Sequence, residues 1–193
     1  NQNILKDITL SGNNENNQVL HIATNFKLGS PEQEIKQELK EYSINLNQST
    51  NSTGDFIFRF EPTTVTFNEV AWSVDTDPLL NHSITYRKNS ADFFIENLRL
   101  YSDKSELFIK ESIFKSAKDF SAAGEIRNVD VAKVFALIKN KNDMDIKGIA
   151  NGTFDIKMDK NNLEPLIDLN ITDIFMNGQV LGNIEIRTKN SPI

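Results

Sequence analysis

Three stretches near the C-terminus decide the fold of this chain: GTFDIKMD at 152–159, LIDLNIT at 166–172 and NIEIRT at 183–188. Apolar and polar residues alternate in each of them. Successive side chains of a β-strand point to opposite faces, so each stretch forms a strand with one apolar and one polar face. Short turns bearing Asn and Gly join the three, which predicts an antiparallel sheet with a continuous apolar face. Either a second sheet or a lipid has to cover that face.

The same alternation recurs towards the N-terminus, as in VLHIATNFKL at 19–28, YSINLNQ at 42–48 and DFIFRF at 55–60. Turn signals separate such runs at intervals of about 8–12 residues, which is typical of all-β proteins. The aromatic residues of the predicted strands follow the alternation, so we expect them to pack in the interior. They are Phe56, Phe58, Phe60, Phe67, Trp72, Phe93, Phe94 and Phe108. The whole chain, residues 1–193, is therefore predicted to be a single all-β segment.

Two stretches depart from the alternation. DVAKVFALIK has an apolar stripe at helical spacing and begins at Asp130, a good N-cap residue, so one short helix is predicted near 130–139. SPEQEIKQELKEY, at 30–42, has Ser30 and Pro31 at a helix start but few apolar anchors. It fits either a short, weakly held helix or an extended edge.

Composition excludes several classes of protein. The chain of 193 residues is 38% hydrophobic and 25% charged, as expected of a globular protein, and carries a net charge of −6. That charge, without any Lys/Arg cluster, argues against nucleic acid as a partner. Cysteine is absent, so no disulfide or thiolate chemistry is possible. The first residue is Asn, from which we expect an excised segment or a processed product.

Residues typical of catalysis or metal binding are sparse. The two histidines, His21 and His82, lie far apart in the sequence, and His21 falls on the polar side of its strand. Asp75-x-Asp77 resembles the start of a calcium loop but lacks the Gly and the distal Glu that complete one. We expect no enzymatic activity, no catalytic residue, no metal and no cofactor. The Asn-x-Ser/Thr triplets, Asn151 among them, are interpreted as accidents of an Asn-rich composition.

The order of motifs over 65–189 carries a family resemblance. Its elements are FNEVAWSVD with Trp72, Ile95-Glu96-Asn97-Leu98, Asn128-Val129-Asp130-Val131, the spaced Ile146, Gly148 and Gly152, and Asn177-Gly178 with Leu181-Gly182. In this order and spacing the chain resembles the TamB family of the AsmA-like group of bacterial envelope proteins, in the version found in Bacteroidetes. The match is to an internal, C-proximal segment.

The resemblance implies a fold and a function. Members of the family are non-enzymatic, anchored in the inner membrane and extended across the periplasm. Their strands form a long, twisted antiparallel sheet folded into an open U-shaped trough, called a β-taco. The family is implicated in moving phospholipid between the inner and outer membranes. It also supports assembly and translocation of outer-membrane proteins together with an outer-membrane barrel partner. Anchor and partner contacts would lie in parts of the parent protein outside this chain.

The apolar face is the candidate site. If it lines a groove for phospholipid acyl chains, the lining residues are Phe56, Phe58, Phe60, Leu107, Ile109, Phe154, Ile156, Ile167, Leu169, Ile184 and Ile186. The alternative is a closed β-sandwich acting as a binding or adhesion module of a secreted or surface protein. Its two sheets would fill the same space with interdigitating side chains. Alternation in the sequence is identical in the two cases.

Overall fold

The protein is almost entirely β-structure. The structure, a computed structural model, describes residues 4–14, 18–29, 31–35, 40–67, 70–132, 146–160 and 162–188. In chain order the elements are β1 (Ile4–Asn14), β2 (Val19–Gly29), α1 (Pro31–Ile35), β3 (Lys40–Thr50), β4 (Phe56–Phe60), β5 (Thr64–Phe67), β6 (Val70–Val74), β7 (Ser83–Arg87), β8 (Asp92–Ser102), β9 (Ser105–Ser116), β10 (Asp119–Asp130), β11 (Ile146–Asp159), β12 (Asn162–Met176) and β13 (Gln179–Arg187).

All thirteen strands belong to one antiparallel sheet. Eleven of them follow one another in the order β1-β2-β3-β4-β7-β8-β9-β10-β11-β12-β13, so nearly every strand pairs with its neighbour in sequence. The hairpin of β5 and β6 stands off this path and joins the sheet through β6, which pairs with β8. The sheet is open: β1 forms one edge and β13 the other. A mostly β, antiparallel fold was predicted from the alternation and is confirmed.

The register explains how separate strands build one continuous face. Residues directly opposite each other on antiparallel strands lie on the same side of the sheet. Phe154 on β11 pairs with Gly124 on β10 and with Ile167 on β12. Leu169 on β12 pairs in turn with Ile186 on β13. The apolar residues of one strand therefore continue those of the next.

Bulges interrupt the register in several strands. Asn97, Asn128 and Asp173 have φ angles of 50°, 50° and 53°, and each lies at a break in strand pairing. A bulge leaves a backbone N–H without its ladder partner and bends the strand. The Asn151 side chain accepts a hydrogen bond of 2.8 Å from the Asn128 N–H. The Asn183 side chain accepts one of 3.1 Å from the Asp173 N–H. Asn151 therefore has a structural role as the acceptor at a bulge.

Two glycines allow close packing within the sheet. A side chain at Gly124 would collide with the carbonyl oxygen of Phe108 and lie 2.7 Å from the Phe154 ring, which covers this position from the next strand. Gly152 has a φ of 152° and faces the Asp168 carbonyl, and an added Cβ would lie 2.9 Å from the Leu169 Cα. Only glycine fits either position without movement of the backbone.

The sheet leaves much of its surface open to solvent. The chain exposes 13129 Å², whereas a compact monomer of 21.9 kDa exposes about 9,300 Å². Fully buried apolar side chains are few among the described residues: Trp72, Val74, Leu98, Val129, Val131, Ala150 and Ile174. A closed sandwich of this length would bury a complete inner layer. The architecture is therefore an open trough and not the closed sandwich considered as the alternative.

Helix is confined to short segments in the described residues. The stretch at 30–42 contains both structures that its sequence allowed, since α1 covers Pro31–Ile35 and β3 begins at Lys40. Ile35 is 83% exposed, so α1 is not held by apolar packing. At the second predicted helix, the Asp130 carboxylate accepts a hydrogen bond of 2.9 Å from the Ala132 N–H, as an N-cap does. Val131 and Ala132 are helical, and 133–139 lie outside the described residues.

Candidate apolar groove

The eleven candidate residues form one continuous surface, called the apolar wall below. Cross-strand pairing links them in rows that run from strand to strand. One row passes from Phe58 through Ile84, Ile95, Ser112 and Ala122 to Ile156. A second row passes from Leu107 through Ile126, Gly152 and Leu169 to Ile186. A third contains Ile109, Gly124, Phe154 and Ile167.

The remaining members occupy the same face. Phe56 and Phe60 have the same strand parity as Phe58, and Ile184 pairs with Ile171, which is two residues from Leu169. The structure thus brings all eleven residues to one side of the sheet, although they come from five strands spread over 131 positions of the chain, from Phe56 to Ile186.

The apolar wall is accessible to solvent. Phe56 is 36% exposed, and Ile184 and Ile186 are each 41% exposed. Along β11 the wall residues Phe154 and Ile156 are half-buried, whereas the polar residues between them are exposed. The apolar side chains of such a face contact their neighbours on adjacent strands, while their outward-facing atoms remain accessible to solvent. Binding of another apolar molecule to such a surface is favourable, because it removes apolar area from water.

An aromatic row runs along one margin of the wall. Phe56, Tyr86, Phe93, Phe114 and Phe120 lie opposite one another on β4, β7, β8, β9 and β10. The rings of Tyr86 and Phe93 are 5.2 Å apart between centroids. Met158 and then Leu163 continue the row on β11 and β12. The turns at 51–55, 88–91 and 117–118 flank this margin, as does Lys160 after β11. We call this margin the aromatic rim.

The opposite margin, called the packed rim, includes the turns at 75–82, 103–104 and 177–178. Most of the fully buried apolar residues lie beside it. Val74 pairs with Leu100 on the wall side of β8, and Val129 pairs with Ala150. Trp72, Val74 and Val129 are only 7%, 7% and 3% exposed. The face is therefore filled with side chains along the packed rim and open along the aromatic rim.

The outer face carries a network of ion pairs. Arg99 on β8 lies 3.1 Å from Glu106 on β9 and 3.6 Å from Asp75. Arg127 on β10 continues the network, at 3.6 Å from Glu106 and 2.7 Å from Glu125. A hydrogen bond with Tyr101 and the neighbouring carboxylates raise the pKa of Arg99. Alternating charges on neighbouring strands stabilise the polar side of the sheet and keep it hydrated.

Two aromatic residues that were expected in the interior lie instead on this outer face. Phe94 lies beneath the Arg87 guanidinium, which is 5.0 Å from the ring centroid, and Phe108 lies beneath Arg99 at 4.7 Å. The expectation of interior packing is wrong for both, because alternation alone does not reveal that an arginine covers an outward ring. Arg87 also donates two hydrogen bonds to Asp92, of 2.6 and 2.9 Å. Asp92 is 1% exposed, and its hydrogen bonds with Arg87 lower its pKa.

The histidines have structural partners. His21 lies on the outer face and its Nδ1 is 3.0 Å from the Glu61 carboxylate. His82 is buried, and its Nε2 accepts a hydrogen bond of 3.1 Å from the Phe60 N–H. Within the residues that the structure describes, no group of three or more His, Asp and Glu side chains could hold a metal ion.

No protein-family model, no curated protein and no solved structure matches this chain. None of the helical segments in the described parts of the chain has the length and apolar character needed to cross a membrane.

Proposed function

We propose that this chain is a segment of a lipid-conducting trough and that the apolar wall binds the acyl chains of phospholipids. One observation carries the proposal: eleven apolar residues from five strands form a continuous surface that stays half-exposed. Soluble monomers rarely expose a contiguous apolar area of this kind without a partner for it. An acyl chain is the partner that fits a long apolar strip without any fixed polar pocket.

The physics of such a surface suits movement of lipid. Each buried methylene contributes about 0.8 kcal/mol, and the contribution does not depend on direction. An acyl chain that slides from one row of the wall to the next loses and regains equal contact area. The wall residues are all hydrocarbon, so no hydrogen bond has to break during that movement. The head group stays at the open side of the groove, in water.

The wider role follows from the resemblance to the TamB family. We propose that the parent protein is a non-enzymatic, inner-membrane-anchored bridge in the periplasm that carries phospholipid between the inner and outer membranes. Assembly of outer-membrane proteins with a barrel partner would use parts of the parent outside this chain. The order of motifs over 65–189 and the single open antiparallel sheet support this assignment.

Neighbouring positions of β12 provide a direct test. A photo-crosslinking amino acid at Leu169 would lie on the wall, and at Asp168 it would lie on the outer face, where the carboxylate accepts a hydrogen bond from Arg187. After irradiation with phospholipid vesicles, we expect lipid adducts from position 169 and none from position 168. Equal labelling at the two positions, or none at either, would refute the lipid groove.

The competing function is a binding or adhesion module of a secreted protein. Its expected fold, a closed sandwich, differs from the open sheet, and the exposure of Ile184 and Ile186 favours the groove. A protein ligand captured at position 169 in cells, with no lipid adduct at that position from phospholipid vesicles, would favour the module.

A further inference from the structure

The two edges of the sheet differ in how they are protected against a further strand. Among the described residues, β1 and β13 each pair with one strand only. On β1 the pairing shifts between Lys6 and Thr9, and Asp7 has a φ of 52°. Lys6 forms an ion pair with Glu34 of α1, and Asp7 forms one with Lys27 of β2. A bulge and edge charges are features by which natural sheets prevent an additional strand from joining.

The β13 edge is a regular strand with outward-pointing backbone groups. Its pairing with β12 continues without a shift from Ile184 to Arg187. The Thr188 N–H donates a hydrogen bond of 2.9 Å to the Ile167 carbonyl of β12. Backbone groups alternate in direction along an antiparallel strand, so the N–H and C=O groups of Glu185 and Arg187 point away from β12. No strand in the described part of the chain pairs with them there.

The apolar wall is more exposed on β13 than on the strand beside it. Ile184 and Ile186 are each 41% exposed, whereas Ile167 and Leu169 of β12 are half-buried. The difference arises because β12 has a neighbouring strand on both sides and β13 on one side only. Another antiparallel strand beside β13 would cover Ile184 and Ile186 laterally, so it would bury apolar area as well as form hydrogen bonds.

The charges of β13 are self-complementary. Glu185 and Arg187 share the outer face, and Ile186 lies between them on the wall. Both charged side chains are 64% exposed. When two copies of β13 pair antiparallel about Ile186, each Glu185 lies opposite Arg187 of the second copy, and the two Ile186 side chains are adjacent. Opposite charges at opposed positions stabilise strand pairing, whereas a shift of the register by two residues places Glu185 opposite Glu185.

We propose that the β13 edge is an interaction surface for a second copy of this chain. The two copies pair through Glu185–Arg187 about a twofold axis normal to the sheet. Such an axis makes the contact the same on both copies and keeps both apolar walls on one side, so the wall continues from copy to copy. Joining β13 to the β1 edge of another copy would need parallel strands, since β1 and β13 run in the same direction. The inference concerns assembly and does not depend on lipid binding.

Sedimentation equilibrium of the full 193-residue chain without lipid tests the proposal. Because the contact is smaller than a standard interface, we expect a weak dimer with a Kd of about 100 µM. Glu185→Arg and Arg187→Glu each place like charges opposite each other in the homodimer, and each should weaken it at least about tenfold. An equimolar mixture of these two variants should dimerise as the wild type does, since opposite charges then face each other. The double variant E185R/R187E should also dimerise.

Asp155→Arg is the matched control, because it makes the same change of charge on the outer face of β11, away from both edges, and should leave the Kd unchanged. A wild type that stays monomeric at about 1 mM would refute the proposal and leave the edge to a strand of different sequence. Single variants that dimerise like the wild type, or a mixture that stays monomeric, would also refute it.

A dimer lost in Ile156→Asp and retained in Glu185→Arg would show that the walls face each other, which overturns the edge contact. The absence of a dimer leaves the lipid groove standing, because capture of lipid is measured on the monomer. Thermal melting verifies that each variant is folded.

Discussion

Ile156→Asp is the substitution that best separates an open groove from a covered core. Ile156 lies at the centre of the apolar wall, on β11, between Ala122 on β10 and Pro165 on β12, and it is half-buried. An ionised carboxylate that loses its water costs several kcal/mol, whereas each methylene in contact contributes about 0.8 kcal/mol. One aspartate therefore offsets the contact of about four methylenes, or ~3 kcal/mol. This corresponds to a loss of lipid occupancy of about 100-fold.

Stability should change much less. In the unoccupied groove the new carboxylate stays hydrated, because nothing among the described residues covers this position. We expect a loss of about 1–2 kcal/mol in the free energy of unfolding, since an isoleucine in lateral contact with its neighbours is replaced. For a chain of this length the melting temperature then falls by about 2–8 °C. In a closed core the same change would bury an unpaired charge and unfold the domain.

The assay combines capture of radiolabelled phospholipid from vesicles with thermal melting followed by circular dichroism. Leu169→Lys, on the neighbouring strand of the wall, should repeat the result with the opposite charge. Asp168→Ala is the matched control, because Asp168 is exposed on the outer face and its ion pair with Arg187 is solvated. It should retain capture and alter stability by no more than about 0.5 kcal/mol. Wild-type capture by folded Ile156→Asp, or complete unfolding of both wall variants, would refute the reasoning.

Three further predictions concern the sheet itself. Gly152→Ala should destabilise the protein by about 2 kcal/mol or more, because the added Cβ meets the backbone of the next strand; an unchanged chemical-denaturation midpoint would contradict this. Asn151→Ala leaves the bulge N–H of Asn128 without its acceptor and should cost about 1–2 kcal/mol, whereas Asn151→Asp, which keeps the acceptor, should cost less. Asp92→Asn removes a carboxylate whose pKa is lowered by Arg87, at a cost of about 2 kcal/mol near neutral pH. Because the folded pKa lies below the unfolded value of about 3.9, the contribution of Asp92 is present above pH 4 and is lost as the pH falls through the folded pKa. The melting temperatures of wild type and Asp92→Asn should therefore converge below pH 4, and a constant difference down to pH 2.5 would sink the assignment.

Much of the fold follows from the sequence. The alternation at 152–159 and 166–172 fixes which residues of each strand share a face, because a β-strand repeats every two residues. The short turns fix the pairing of neighbours, and with that pairing the eleven wall residues lie on one side of the sheet. The capping role of Asp130 was also readable, since the preference of helix starts for Asp is local.

Other features required the tertiary structure. Bulges at Asn97, Asn128 and Asp173 depend on the partner strand, and only the register shows that Asn151 and Asn183 accept the hydrogen bonds of the displaced N–H groups. The coverage of Phe94 and Phe108 by arginines is a cross-strand arrangement that no single strand encodes. The same holds for the aromatic row, whose members are spread from Phe56 to Phe120.

The sequence by itself determined that this chain has an apolar side, although it did not reveal that Phe94 and Phe108 lie on the other one. Only the tertiary structure decided that this side stays open, because alternation is a property of a single strand while coverage depends on where distant strands lie. The thirteen strands form one sheet, so no second layer among the described residues faces the wall. Consecutive antiparallel turns fall on alternate sides, so the chain order places the turns at 88–91 and 117–118 on one margin and those at 75–82 and 103–104 on the other. The fold therefore leaves Phe56, Ile184 and Ile186 exposed, and their burial would require contact with another molecule.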